Sequence, residues 1–322
     1  MKVRERVREF FLPAESDSWL TWLRVGLGLV IVLYTWPLRS DWSYLFGGSD
    51  KGLVSRQLFE VLLSTQSPLI PRLGWLVFLC RQVGGSEGFA LSLAWSLLFA
   101  AGLLLLAGLF SRPAAIVAWL LQLSSAKSGG LLSYGADNLI TIGLFYLMIA
   151  PLPDRRSLDR WRRPARGIDP RMSGLHRRVL QIHLCFIYFF GGLTKSLGAG
   201  WWDGSNLWRA LTEPPFNVLP TNWVAAGSAL LPSLGILVCL IEISYAFLIW
   251  PKWSRRTVLF GICAMHIAIG LMMGMYLFAL IMLVLNLAAF GPAEPGQKAI
   301  GSVATGRPEV GAFRPVCSRA SD

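Results

Sequence analysis

An all-α, polytopic transmembrane helix bundle is the fold this 322-residue chain predicts. Mean hydropathy is +0.53, and only 15% of residues are charged, against about 25% in an ordinary soluble domain. Apolar runs near the ~20 residues needed to cross the hydrocarbon core recur along the chain. Fourteen tryptophans suit a protein whose indoles sit at the membrane–water interface. These figures exclude a water-soluble enzyme, a disordered chain, a collagen-like chain and a disulfide-stapled secreted fold.

Residues 1–17 are expected to form an interfacial amphipathic segment. Val3, Val7, Phe10 and Phe11 alternate with charge so that they share one helical face, the pattern of a helix lying in the headgroup plane. Candidate spans follow at 18–38, 88–110, 113–133, 137–153, 175–197 and 223–250. Arg24 interrupts the first run and no small-residue cleavage site follows, so that run is expected to be retained as a span. Lys127, Gly129 and Gly130 interrupt 113–133, and the run 68–80 is too short to cross. The apolar stretch 257–290 is too long for one span, and Gly270, Gly274 and the Met-Gly-Met stretch offer a break. About eight spans result, making 18–290 one transmembrane domain. Residues 291–322 have no apolar period and are expected to be a disordered cytoplasmic tail.

Orientation follows from short-loop arginine and lysine. The loop 154–174 and the helix start after it hold nine arginines, from Arg155 to Arg178. Lys252, Arg255 and Arg256 mark a second basic turn and Arg112 a third, whereas loop 198–222 has only Arg209. All three basic turns fall on the side of the N-terminus, so both termini are expected in the cytoplasm. The net charge of +12 then reports topology and attraction to an anionic lipid bilayer, and no nucleic-acid partner is expected. The five cysteines and three histidines show no metal-ligand spacing, and no metal is expected.

Charges inside a bilayer cost several kcal/mol unless paired or hydrated, so four residues need explanation: Arg24, Lys195, Glu242 and His266. Glu242 precedes Trp250 by eight residues, about 12 Å at 1.5 Å per residue. Arg24 lies at a comparable depth in the first span, so a structural Arg24–Glu242 ion pair is expected. Lys195 ends its span on the outer side. Tyr188 and Gly191 share its stripe, Gly192 lies beside it, and Trp201, Trp202 and Asp203 follow in the next loop. A lysine at the rim of such an aromatic-lined site can serve as a base; the competing reading is that it snorkels to the interface. His266 and His183 fit neutral interhelical hydrogen bonding. Asp137 and Asn138 begin a span at the outer face, where they can cap the helix or line the same mouth as Lys195.

The run Tyr188-Phe189-Phe190-Gly191-Gly192-Leu193-Thr194-Lys195, followed by Trp201-Trp202-Asp203-Gly204, resembles the Tyr-Phe-x-x-Gly-x-x-Lys…Trp-x-Asp/Glu-Gly signature of the HTTM (horizontally transferred transmembrane) family. Weaker matches in the same order are Leu23-Arg24, Phe46-Gly47 with Gly52 to Ser55, Tyr134 to Asn138, and His266 followed by Met275 to Phe278. The resemblance covers roughly 18–290 and extends to the membrane domain of vitamin K-dependent gamma-carboxylase. It implies a lysine base at Lys195, a supporting histidine at His266, an extracytoplasmic site and a quinone-like (hydroquinone) cofactor. A second family histidine aligns with Asn138, which carries no titratable proton, so glutamate carboxylation itself is not expected.

Short family members are also similar to the membrane subunit of the sporulation-delaying-protein system, which implies an exported peptide and a partner subunit. The expected function is therefore an integral protein of the bacterial inner membrane with an outward pocket around Lys195. The pocket would perform lysine-base chemistry on a quinone, lipid or exported peptide, with Lys195 and His266 catalytic. Tyr188, Trp201, Trp202, Asp203, Asn138 and Asp137 would bind substrate. The alternatives are a non-catalytic maturation or scaffold subunit and a small-solute transporter.

Overall fold

The computed structural model describes residues 2–48, 55–162 and 168–292. Among them the regular structure is helical throughout. The amphipathic start forms α1 (Lys2–Phe11), and the first apolar run forms α2 (Ser18–Thr35). Three short helices, α3 (Trp42–Phe46), α4 (Arg56–Gln66) and α5 (Leu73–Gln82), lead to α6 (Glu87–Ala107), α7 (Ser111–Ser128) and α8 (Gly135–Ile149). A one-turn α9 (Leu158–Arg162) precedes the 27-residue α10 (Pro170–Ser196). Beyond it lie α11 (Ala199–Trp202), α12 (Ser205–Thr212) and α13 (Thr221–Ala226), and then α14 (Leu231–Leu248), α15 (Lys252–Met273) and α16 (Tyr276–Phe290).

Helices cover each of the seven apolar runs. The run at 223–250 is divided, because the helix that continues to the inner end starts only at Leu231. The long final run breaks where Gly274 takes a positive φ of 69°, a conformation that side chains with a Cβ disfavour. The expected tail lies outside the described residues, apart from Gly291 and Pro292, as do Gly52 to Val54 of the family-like loop motif.

Among the described residues four helical stretches are long and apolar enough to cross a membrane: Ser18–Thr35, Glu87–Ala107, Lys252–Met273, and Ser228–Leu248, in which a single 3-10 turn leads into α14. Gly135–Ile149 and Tyr276–Phe290 are shorter apolar helices. Large apolar side chains such as Phe247, Phe260 and Leu271 point outward at 63%, 75% and 63% exposure. A polar solvent would penalise that surface, whereas lipid would not.

The bundle divides into two packed groups. One joins α2, α6, α7 and α8; the other joins α10, α14, α15 and α16, and α16 also packs on α2 and α8. At the centre of the first group Leu20, Leu23, Leu27, Val30 and Ile31 of α2 are completely buried. The α1 helix keeps its apolar face largely exposed but rests Phe10 on Trp250, with the Arg178 guanidinium over the Phe10 ring.

The expected Arg24–Glu242 pair does not form. Arg24 Nε donates to Asp154 Oδ1 at 2.6 Å, and its Nη1 donates to the Leu105 and Leu106 carbonyls that end α6. Thr21 donates to the other Asp154 oxygen at 2.6 Å. Matching depths within spans misled the expectation because the connection after α8 brings its own carboxylate, fully buried Asp154, to the inner end of α2. An acid in a connecting loop has no helical depth to count.

Candidate functional site

α10 is started by Pro170 at its first position and by Asp169, whose side chain accepts the Arg171 N–H at 2.9 Å. Its length carries Tyr188, Gly191, Gly192 and Lys195 in a stripe against α14. A Cβ on Gly192 would stand 2.9 Å from the Glu242 Cβ and 2.9 Å from the Ile243 nitrogen, so only glycine admits this approach. Glu242 therefore sits level with Gly192, about one turn nearer the start of α10 than Lys195.

Lys195 Nζ donates to Glu242 Oε2 at 2.5 Å. Side chains on a helix lean toward its N-terminus. Under the orientation read from charge, α10 runs outward and α14 runs inward. The Lys195 side chain therefore leans inward, the Glu242 side chain leans outward, and the two close the one-turn offset. Counting Cα levels alone would leave the two residues a turn apart. The lysine is 29% exposed and the glutamate 8%. The Lys195 ammonium also lies 5.6 Å from the centroid of the Trp201 ring, a cation–π distance. α11, which carries Trp201, packs on α14.

Two turns from Lys195 toward the start of α10 the stripe reaches a second polar cluster. Tyr188, at 2% exposure, shares a hydrogen bond of 2.8 Å with His266 Nε2 and accepts one of 2.6 Å from Asn286 Nδ2. Asn286 Oδ1 accepts from the Tyr245 hydroxyl at 2.8 Å. Three further helices, α14, α15 and α16, thus meet α10 through one connected set of polar groups. His266 was expected as an interhelical hydrogen bonder and has this bond. Asn286 and Tyr245 escaped the sequence reading, although an asparagine in an apolar run carries the same cost signal that singled out His266.

Among the described residues, the other candidates make no hydrogen bond to the Lys195 amine. Trp202 is 53% exposed and donates to the Ser196 carbonyl at 2.8 Å. Asp203 accepts the Ser205 N–H at 2.9 Å as α12 starts, and that hydrogen bond holds its carboxyl below the usual aspartate range. Asp137 is buried and bonded to Gln122 and the Tyr134 backbone N–H, while Asn138 beside it is exposed. Neither is among the bonded partners of Lys195.

A cavity of about 640 Å³ opens among Ser43, Tyr44, Gly47, Gln57, Arg81 and Glu87. Among the described residues, its wall and those of two smaller cavities do not include Lys195. No group of histidine, cysteine and acidic residues that could hold a metal ion occurs among the described residues.

Residues 136–292 match the family model of the HTTM domain. Just under half of the chain is thus similar to the HTTM domain. No curated protein and no solved structure matches the chain significantly. The HTTM segment holds Lys195, Glu242, Trp201 and the whole His266–Tyr188–Asn286–Tyr245 cluster; Arg24 lies outside it.

Proposed function

We propose that the Lys195–Glu242 pair of this HTTM-family membrane protein is an acid–base centre at the extracytoplasmic end of α10 and α14. The 2.5 Å Nζ–Oε2 contact under Trp201 carries the reading. Two charges held away from bulk water lose much of their hydration. Moving the proton from ammonium to carboxylate removes both charges at once and leaves a neutral amine. That amine takes a proton from a bound ligand while Glu242 holds the one it received, and the pair returns protons by the reverse route. Partial exposure of Lys195 supports access from outside, and Trp201 offers an aromatic face to a planar or apolar guest. The ligand class is a quinone-like molecule, a lipid or a segment of an exported peptide, and the HTTM match supports the first of these only through family resemblance.

A second reading draws on the Gly192 packing. Where glycine brings two helices this close, an ion pair can serve as a staple in a non-catalytic maturation or scaffold subunit. One experiment separates the two. The full chain and a Lys195→Met/Glu242→Leu variant are purified from native membranes into lipid nanodiscs, and the bound small molecules are identified by mass spectrometry. The acid–base reading expects a lipid, quinone or peptide that the variant lacks. Identical bound species with unchanged folding would leave the staple.

A further inference from the structure

We infer that Asn286 is a positioning residue that fixes the proton of His266 on Nδ1 and so presents a buried N–H donor to an acceptor oxygen at this site. Asn286 Nδ2 lies 2.8 Å from the Met282 backbone carbonyl, an oxygen that can only accept. The amide nitrogen must therefore face that carbonyl, which settles the amide orientation that distances alone leave open. With its nitrogen so placed, Asn286 spends its two hydrogens on Met282 and on the Tyr188 oxygen, and its Oδ1 receives the Tyr245 hydroxyl.

The Tyr188 oxygen thus already accepts a hydrogen bond. Its own single hydrogen has one partner among the described residues, His266 Nε2 at 2.8 Å. Nε2 therefore accepts, and a neutral imidazole that accepts at Nε2 carries its hydrogen on Nδ1. The opposite tautomer would leave two groups without partners, the Tyr188 hydroxyl hydrogen and the Nδ1 lone pair. The assigned one leaves only the Nδ1–H. His266 is 2% exposed, and its Nδ1 has no partner. A buried polar group without a partner is uncommon, and here the rest of the chain is aligned to make it a donor.

The complementary ligand feature is a neutral acceptor oxygen, belonging either to an ordered water or to a carbonyl-bearing guest. This inference rests on reading the α10–α14–α15 region as the functional centre.

The test is solid-state ¹⁵N NMR of histidine-labelled full-length protein in lipid bilayers. The chain has three histidines, and the His266 signals are those lost in His266→Gln. The expected result is a single Nδ1–H tautomer in the wild type. In Asn286→Leu the Tyr188 oxygen is free to accept from Nε2–H, so that variant should gain the Nε2–H form. A wild type protonated on Nε2, or an Asn286→Leu variant that keeps Nδ1–H alone, would overturn the assignment.

Magnetisation transfer from water to Nδ1–H would identify water as the acceptor. A shift of that signal on adding duroquinone, which offers two neutral carbonyl oxygens and no acidic hydrogen, would identify a carbonyl guest. Absence of both would overturn the acceptor site. Lys195→Met is expected to keep the Nδ1–H tautomer, so failure of the acid–base reading and failure of this one are distinguishable.

Discussion

Lys195 and Glu242 meet across two antiparallel helices, the lysine one turn nearer the C-terminal end of α10, with Nζ 2.5 Å from Oε2. The contact depends on Gly192 and on side chains that lean toward each other along opposite helix directions.

Breaking the pair from one side should cost more than removing it whole. Lys195→Met leaves a largely buried carboxylate alone and should destabilise the protein by about 1–3 kcal/mol, less than a fully buried pair because the lysine is partly exposed. Adding Glu242→Leu should recover most of that loss. Thermal unfolding in nanodiscs measures both, and a double variant no more stable than the single one would contradict the pairing.

Gly192 and Gly191 should respond differently to alanine. A methyl at Gly192 meets backbone and Cβ at 2.9 Å, whereas one at Gly191 meets Glu242 Oε2 at 3.4 Å and Lys195 Nζ at 3.7 Å. Gly192→Ala should force α10 and α14 apart at a cost of about 1–3 kcal/mol, and Gly191→Ala should be close to neutral. Equal unfolding temperatures for the two variants would argue against the close approach.

Arg24 should behave as a structural residue. It joins Asp154 to the last carbonyls of α6 in a fully buried setting. Arg24→Met should cost about 3–5 kcal/mol, the range for stranding one partner of a buried pair, while Glu242→Gln should leave the inner ends of α2 and α6 unaffected. Hydrogen exchange at Leu105 to Leu109 reports the difference.

Asp159 should make stability fall in acid. Its carboxylate accepts the Phe110 N–H at 2.8 Å, and the Ser111 N–H and hydroxyl at 2.7 and 2.8 Å, which secures the start of α7. Burial raises its pKa, but these hydrogen bonds and the charge of Arg162 outweigh burial and hold it below the usual value. Because the folded value is the lower one, the contribution is complete above the ordinary aspartate range, about 3.9, and is lost as pH drops through the folded value. Asp159→Asn should flatten that part of the curve of unfolding temperature against pH.

The apolar runs made the helices legible because composition and run length alone decide whether a segment suits lipid, and Gly274 marked the break between α15 and α16. Lys195, Glu242, Arg24 and His266 stood out because each is expensive in a bilayer. Their partners were harder to read. Asp154 comes from a loop, Glu242 reaches Lys195 only through side-chain lean, and Tyr245 looks ordinary until α10 brings Tyr188 against it. Pairing is a property of helix neighbours, and no periodicity within one helix encodes it.

The central claim is that the Lys195 amine, paired with Glu242, is reachable from the extracytoplasmic face. A membrane-impermeant acylating reagent applied to right-side-out and inside-out vesicles of the full-length protein tests this directly, with acylated lysines located by mass spectrometry. The account predicts acylation of Lys195 only in right-side-out vesicles, faster in Glu242→Gln, and of Lys252 only in inside-out ones. Labelling of Lys195 from the cytoplasmic face, or its protection in both preparations, would contradict it.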